Sequence, residues 1–227
     1  MSAGDHPNVD GAAAAIPVAH TPPGGYGDDV PFVTPDGRRL YFCSFRALPE
    51  LGLADREKIW FVERTAAGWS AARPVARAVN AGQMHWQVSV SARGTLYYGT
   101  DEGMRLSRLV DGEHQAPEAV EEALHPQYQG TTPFIAPDES YLMFASGREG
   151  GLGKHDLYIG FRGSDGEWCA PVCLGPEINS PRQELCPMVS PDGRYLFFIS
   201  QRDRQESGVY WVRADFLEAL RPAEAGG

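Results

Sequence analysis

Residues 190–200 read SPDGRYLFFIS and combine a tight turn with a strand. Proline presets the backbone angle φ of such a turn, and aspartate hydrogen-bonds to its own backbone. The residues after the turn are aromatic and aliphatic side chains in an alternating pattern, which predicts a strand rather than a helix. Similar segments occur at residues 34–44, 136–146 and, in a more divergent form, 91–100. The chain is therefore built from four repeated units.

Each unit is typical of one blade of a β-propeller. An apolar strand precedes the turn, two alternating strands follow it, and a fourth short strand ends the first three units. The turn positions Asp36, Arg93, Asp138 and Asp192 are separated by 57, 45 and 54 residues. A repeat of about 50 residues that contains four strands predicts a propeller.

The end of the repeat array predicts how the ring closes. The last unit ends after its third strand at Arg213, and residues 15–19 match the fourth strand that it lacks. Since proteins avoid open sheet edges, we expect residues 15–19 to pair with the last unit. The expected organisation is a flexible N-terminal segment at 1–13, a single propeller domain at 14–220 and a flexible tail at 221–227. Within the domain, the blade repeats lie near residues 31–78, 86–122, 132–175 and 187–213.

The composition suits an all-β chain and excludes several classes of function. Of the 227 residues, 26 are glycine and 18 are proline, as expected for many short strands joined by turns. The net charge of −10 argues against wrapping a nucleic-acid duplex or binding an anionic membrane. No apolar run approaches the roughly 18 to 20 residues of a membrane span, and the N-terminus lacks the basic region of a secretory signal. We therefore expect a cytoplasmic protein without nucleic-acid or membrane partners.

The cysteines and the motifs give no sign of a cofactor. Cys43, Cys169, Cys173 and Cys186 do not have a metal-binding spacing, so free thiols in a reducing compartment are expected. The sequence has no nucleophile elbow, zinc-protease motif or calcium loop. We expect neither a metal nor another cofactor.

Three segments carry a resemblance to a known family. SPDGRYLFFIS at 190–200, TPDGRRLYFCS at 34–44 and the glycine-rich stretch at 146–180 resemble the WD40-like β-propeller repeat. This family includes the propeller of the periplasmic Tol system and repeats fused to peptidoglycan-associated domains. The resemblance covers about residues 15–213. It implies an all-β fold, a compact four-bladed propeller of four-stranded antiparallel blades around a narrow channel, with the ring closed by the N-terminal strand. It does not imply one function, because the family binds proteins, glycans and small ligands.

The second unit departs most from the repeat. Residues 82–94, GQMHWQVSVSARG, have Gln87 where we align the first-strand proline of the other units, and Ala92 and Arg93 replace the Pro-Asp of the turn. Met84, His85 and Trp86 lie just upstream. First strands line the axis of a propeller, so an apolar wall, an imidazole and an amide are expected at one rim of the channel. Such a mixture is typical of a small-molecule site, and His85 could transfer a proton near neutral pH. Alternatively, Trp86 packs between blades and His85 is an incidental rim residue.

Two further columns differ between units. An acid occurs near the start of the first strand in units one and four, as Asp28 and Glu184, and each of these units has an arginine after the second strand, Arg46 or Arg202. These acids and arginines are expected to form structural ion pairs. If Asp28 and Glu184 instead lie close together, one of them would have a raised pKa and could act as an acid.

The middle units lack these acid and arginine pairs. Unit three has Arg148 without the acid, and unit two has Glu102 without either residue. Arg148 and Glu102 could pair across the blade boundary. Alternatively, Arg148 binds a carbonyl or carboxylate of a ligand, for which a planar guanidinium is well suited.

Two functions fit these features. The first is a cofactor-independent cyclase, isomerase or lyase of specialised metabolism that binds a small organic ligand at the mouth of the axial channel. Its expected catalytic residues are His85, Glu184 and Asp28, and its expected ligand-binding residues are Met84, Trp86, Gln87, Arg148, Glu102 and Thr131. The alternative is a non-catalytic module that binds a protein or glycan, and a protein partner is compatible with either function.

Overall fold

The computed structural model describes residues 27–48, 57–82, 86–120, 124, 130–202 and 206–222. Within these ranges almost all regular structure is short antiparallel strand, and the strands form four successive sheets that are the four blades. The predicted all-β, four-bladed propeller is therefore confirmed. No helix in the described part of the chain is long and apolar enough to cross a membrane.

The first two blades have their strands in chain order from the axis outwards. Blade 1 contains β1 (Asp28–Val33), β2 (Arg39–Ser44), β3 (Lys58–Thr65), β4 (Gly68–Trp69) and β5 (Arg73–Pro74), and both β4 and β5 pair with β3. A short helix, α1 (Arg77–Asn80), leads to blade 2. Blade 2 contains β6 (Trp86–Val90), β7 (Leu96–Thr100) and β8 (Gly103–Ser107), then the hairpin of β9 (Leu109–Val110) and β10 (Glu113–His114), then β11 (Glu118–Ala119), which pairs with β8.

Blades 3 and 4 follow the same order. Blade 3 contains β12 (Thr131–Ile135), β13 (Tyr141–Ser146), β14 (Asp156–Phe161) and β15 (Val172–Cys173). Blade 4 contains β16 (Glu184–Val189), β17 (Tyr195–Ser200) and β18 (Gly208–Arg213), and a 3-10 turn at Glu218–Leu220 comes after it. Residues 15–19, the predicted closing strand, lie outside the described residues.

The hydrophobic core lies in layers between adjacent blades. One cluster joins blades 1 and 2, a second joins blades 2 and 3, and a third joins blades 3 and 4. Side chains from opposite blades also meet at the axis: the rings of Phe32 and Phe134 are 6.5 Å apart, and the Gln87 amide donates to the Pro187 carbonyl at 3.0 Å. At these levels the expected narrow channel is filled by side chains.

Every inner strand contains the same bulge. The residues Val30, Gln87, Thr132 and Cys186 have φ values of 41, 41, 50 and 55°, and the pairing register shifts at each of them. A left-handed residue other than glycine costs on the order of 1 kcal/mol or more, and its recurrence in all four blades identifies it as part of the fold.

The bulge corrects the sequence alignment of unit two. Trp86 pairs with Gly99 as Asp29 pairs with Cys43, so Gln87 takes the left-handed position and Val88 takes the place of the proline. The alignment that replaced proline by Gln87 was therefore wrong by one residue: Gln87 is the left-handed residue of the bulge that all four inner strands share, and the proline of the other units comes directly after that residue.

The turn after β6 is one residue shorter than its counterparts. In blade 2 the Ser91 amide donates to the Thr95 carbonyl, whereas in blade 1 the Thr34 amide donates to the Arg39 carbonyl, one residue further along. In the longer turns, the aspartates Asp36, Asp138 and Asp192 accept the N–H two residues later. In blade 2 that N–H belongs to Thr95 and is bound by the Ser91 hydroxyl. The shorter turn therefore needs no aspartate at position 93.

The four cysteines are free thiols, as predicted. Cys43 is fully buried, whereas Cys169, Cys173 and Cys186 are partly buried. Burial raises the pKa of the Cys186 thiol to about 11.

Candidate functional site

A cavity of about 520 Å³ lies between blades 2 and 3, at the end of the propeller where the inner strands begin. We call it the rim cavity. Four of the residues predicted to bind a ligand line it: Trp86, Glu102, Thr131 and Arg148. The cavity is formed at the boundary of two blades, and its described lining comes from these two blades rather than from all four.

The inner strands place Trp86 and Thr131 on opposite sides of a glycine. Trp86 begins β6 and pairs with Gly99 on β7. A Cβ atom at Gly99 would lie 3.1 Å from the Thr131 hydroxyl and 3.1 Å from the Trp86 carbonyl. Glycine therefore allows β12 to approach β6 closely and brings the Thr131 hydroxyl into the cavity wall. The Trp86 side chain remains 37% exposed, so part of its ring is available to a ligand.

Two polar atoms in the wall are buried without a hydrogen-bond partner. They are the Thr131 hydroxyl and Nδ1 of His155. Buried polar groups almost always have a partner, so these two atoms are the best candidates for hydrogen bonds to a bound molecule. The backbone of His155 is fixed, because its carbonyl accepts the Glu184 amide and it forms a bridge with Gln183.

His155 was not predicted from the sequence. In the observed register it comes directly before the third strand of its blade, and the same position holds Glu57 in blade 1, Glu102 in blade 2 and Ser207 in blade 4. This column holds an acid in blades 1 and 2, an imidazole in blade 3 and a hydroxyl in blade 4. The signal was hidden by the loop between the second and third strands, whose length differs in every blade.

The cavity has an acidic wall and a basic wall. Asp101 and Glu102 come from the β7–β8 turn of blade 2, and Arg148 and His155 come from blade 3. Glu102 forms an exposed ion pair with Arg105 at 3.0 Å, and Arg148 stacks over the Tyr158 ring at 4.7 Å. The ion pair of Glu102 is thus with Arg105 rather than with Arg148, and the two predicted partners belong to opposite walls.

Asp28 has the predicted structural role. Its carboxylate forms an ion pair with Arg46 at 2.6 Å, and the Arg46 guanidinium also packs over Phe42 and Trp60. Asp28 does not contribute to the lining of the rim cavity.

Glu184 is held differently from the expectation. Its fully buried carboxylate accepts hydrogen bonds from the Ser180 amide at 2.9 Å and from the hydroxyls of Ser180 and Ser200 at 2.7 and 2.6 Å. Arg202 instead donates to the carbonyls of Glu177 and Ile178. The predicted Glu184–Arg202 pair was therefore wrong, because serine residues satisfy the acid and backbone carbonyls satisfy the arginine.

Of the remaining predicted residues, the described one, Gln87, does not line the rim cavity. Gln87 is buried, and its amide binds the backbone of the opposite blade. Met84 and His85 lie outside the described residues. Their roles as wall and proton-transfer residues stay predictions.

One group of described residues could hold a metal ion. A carboxylate oxygen of Asp29, the Cys43 sulfur and a carboxylate oxygen of Glu57 lie within 4.8 Å of one another. Burial, and then the nearby Glu57 and Asp29 carboxylates, raise the pKa of the Cys43 thiol well above its usual value. These residues occupy in blade 1 the positions that Trp86, Gly99 and Glu102 occupy in blade 2.

Comparisons with known proteins give the class of fold. No family model and no curated protein matches the chain. Among solved structures, TolB from Acinetobacter baumannii matches with a TM-score of 0.53 and 14% identity, over 83% of this chain and 41% of TolB. The tricorn protease gives 0.51 and 13%, over 83% and 18%. A gluconolactonase from Xanthomonas campestris gives 0.50 and 17%, over 82% and 56%.

The chain is a four-bladed β-propeller that shares its fold with TolB, so the expected resemblance is confirmed at the level of the fold. It spans less than two thirds of the length of each of these three proteins. Propellers of this kind include enzymes as well as TolB, so the fold alone selects neither catalysis nor binding.

Proposed function

We propose that this propeller binds a small polar organic molecule in the rim cavity. One observation carries the proposal: Trp86 and Glu102, which distinguish unit two, line the same cavity as Arg148, the arginine whose unit lacks the acid of units one and four. The volume of about 520 Å³ suits a small ligand. The unpartnered atoms of Thr131 and His155 support the proposal, since a ligand would give each a hydrogen bond.

The walls indicate the chemistry of the ligand. The Trp86 ring offers an apolar surface for carbon atoms, and the acidic wall of Asp101 and Glu102 would accept hydrogen bonds from hydroxyl or amino groups. Arg148 on the other wall favours a carbonyl or carboxylate. A hydroxy acid, an amino acid or a related polar metabolite has all three features.

The same walls support catalysis of proton transfer as the finer proposal. The His155 imidazole could remove a proton from a bound substrate, and a carboxylic acid on the opposite wall could return one. Such a step needs no cofactor and would serve an isomerase, lyase or cyclase. His85 remains the second candidate base, and it replaces His155 in this role if His155→Gln leaves turnover unchanged.

The binding proposal is tested with Thr131→Val, which keeps the shape of the side chain and removes the hydroxyl. Panels of hydroxy acids, amino acids and sugars are screened by thermal shift, and compounds that stabilise the native chain are titrated by calorimetry. We expect the dissociation constant to rise roughly tenfold, as for loss of one hydrogen bond in a desolvated site.

Thr95→Val is the matched control, because Thr95 lies at the other end of blade 2 and does not line the rim cavity. Equal affinities for the native chain and Thr131→Val would overturn the proposal, as would the absence of any bound compound. The alternative function, a non-catalytic module for a protein or glycan, would then be favoured by Val209 and Trp211, which are 74% and 61% exposed on β18.

A further inference from the structure

A second cavity, of about 790 Å³, lies between blades 1 and 2 at the opposite end of the propeller. We call it the arginine cavity because Arg38, Arg39, Arg64 and Arg93 line it. Its charged lining otherwise contains Asp36 and Glu63. This excess of positive charge stands out in a chain whose net charge is −10.

Both acids in the arginine cavity are already engaged. Glu63 lies between two arginines: it pairs with Arg39 at 2.9 Å and with Arg73. The Asp36 carboxylate accepts the Thr34 hydroxyl at 2.6 Å and the Arg38 amide at 3.0 Å. These hydrogen bonds, the Thr34 hydroxyl first, lower the pKa of Asp36. Asp36 also lies 4.0 Å from the Arg38 guanidinium, so the described ion pairs of both acids are with arginines other than Arg64 and Arg93.

Arg64 and Arg93 have no carboxylate within ion-pair distance among the described residues. Both are exposed, and Arg64 stacks over the Trp69 ring at 6.0 Å. Two guanidinium groups with free donors thus face the same cavity. Their planar, forked donors match an oxyanion that can accept two parallel hydrogen bonds.

The short turn of blade 2 explains why position 93 does not require an aspartate. The aspartates at this position in the other three blades accept a hydrogen bond from a backbone N–H that the Ser91 hydroxyl binds in the shorter turn. The side chain at position 93 therefore has no role in the turn. Compared with aspartate, an arginine at position 93 removes one negative charge from the arginine cavity and adds one positive charge. Arginine in place of aspartate at position 93 therefore changes the charge of the arginine cavity and does not affect the hydrogen bonds of the turn.

Arg39, one of the arginines that line the cavity, is held in place by its neighbours. The guanidinium groups of Arg39 and Arg73 each lie 5.0 Å from the centre of the Phe61 ring. The Tyr41 hydroxyl lies 3.4 Å from an Arg39 nitrogen and 3.3 Å from His114 Nε2. Arg39 is therefore fixed by an ion pair, a ring and a hydroxyl, and Arg64 and Arg93 stay available to a ligand.

We propose that the arginine cavity binds a small, multiply charged oxyanion, held mainly by Arg64 and Arg93. The anionic group is a phosphate ester or a polycarboxylate, which share the same charge and acceptor geometry. This site is separate from the rim cavity and does not depend on the function proposed for it.

The test uses isothermal titration calorimetry with inorganic pyrophosphate and with citrate as probes. Arg93→Asp restores the residue of the sister repeats, and we expect it to weaken binding of the preferred probe at least tenfold. Arg64→Gln should act in the same direction. Tighter binding of pyrophosphate assigns a phosphorylated ligand, and tighter binding of citrate assigns a carboxylate.

Arg77→Asp is the matched control, since it makes the same change in charge at an exposed position on α1 outside both cavities. Thermal melting checks that each variant is folded. The proposal is wrong if the native chain binds neither probe, or if Arg77→Asp weakens binding as much as Arg93→Asp. Thr131→Val should leave probe binding unchanged, so a failure of the rim cavity proposal would be recognised separately.

Discussion

His114 shows how one residue can replace another in a packing position and bring a titratable group with it. It takes the place that tryptophan has in the sister hairpins, as Trp69 in blade 1 and Trp168 in blade 3. Its side chain is buried, and its ring lies edge-on to Tyr41 at 6.1 Å. His114 therefore has the packing role of the tryptophans that it replaces. Burial, with a smaller contribution from Arg39, lowers the pKa of His114 to about 4.

This lowered pKa predicts a loss of stability at mildly acidic pH. The unfolded chain protonates His114 near pH 6.5 and the folded chain only near pH 4, so the stabilisation is complete above pH 6.5 and is lost as the pH falls towards 4. Between pH 7.5 and 4.5 we expect a decrease of roughly 2 kcal/mol in the free energy of unfolding, measured by urea denaturation.

His114→Phe should remove most of this decrease. The carboxylates with lowered pKa values, such as Asp36, titrate below this range and do not interfere. An unchanged pH dependence in His114→Phe would show that another group is responsible.

At the scale of the element, the sequence predicted the strands and not their exact register. Alternating patterns gave the second and third strands, because their side chains face either the core or the neighbouring blade. The bulge at Gln87 adds an unpaired residue to the inner strand, as it does in every blade, and the turn at Arg93 is one residue shorter than its counterparts; no pattern of hydrophobicity records either feature. Both features became visible only through backbone hydrogen bonds.

The difference between the long and short turns predicts that alanine destabilises a long turn and has little effect on the short one. Asp138→Ala removes the acceptor for the Ser140 amide and should lower the free energy of unfolding by about 0.5 to 1 kcal/mol. Arg93→Ala should change it by less than about 0.5 kcal/mol, because Arg93 has no role in its turn.

Urea denaturation of both variants at neutral pH provides the measurement. A loss of stability in Arg93→Ala as large as that in Asp138→Ala would mean that the arginine supports the turn after all.

At the scale of the whole molecule, the repeat predicted where a site could form. Trp86 and Glu102 were identified because unit two departs from its sister repeats, and Arg148 because its unit lacks the acid of units one and four; the ring then brings these two neighbouring blades together. The ion-pair partner predicted for Asp28 is confirmed and that for Glu184 is wrong. Glu184 and Asp28 are satisfied within their own blades, and no sequence column indicates which partner an acid will find there.

Closure of the ring gives the prediction at this scale. Blade 4 has three described strands, and residues 15–19 are expected to add the fourth to β18. Deleting residues 1–20 should therefore lower the melting temperature by roughly 5 °C or more, whereas deleting residues 1–10 should leave it unchanged. Scanning calorimetry of the two truncated chains provides the comparison, and equal melting temperatures would exclude residues 15–19 as the closing strand.

Blade 2 contributes to both cavities, with Trp86 at one end of β6 and the turn that carries Arg93 at the other. A ligand that tilts this sheet in one cavity alters the spacing of the groups in the other. Thermodynamic linkage then requires reciprocity. If a bound anion changes the affinity of the rim cavity for its ligand by some factor, that ligand changes the affinity of the arginine cavity for the anion by the same factor. Blade 2 is the element through which such a coupling would act.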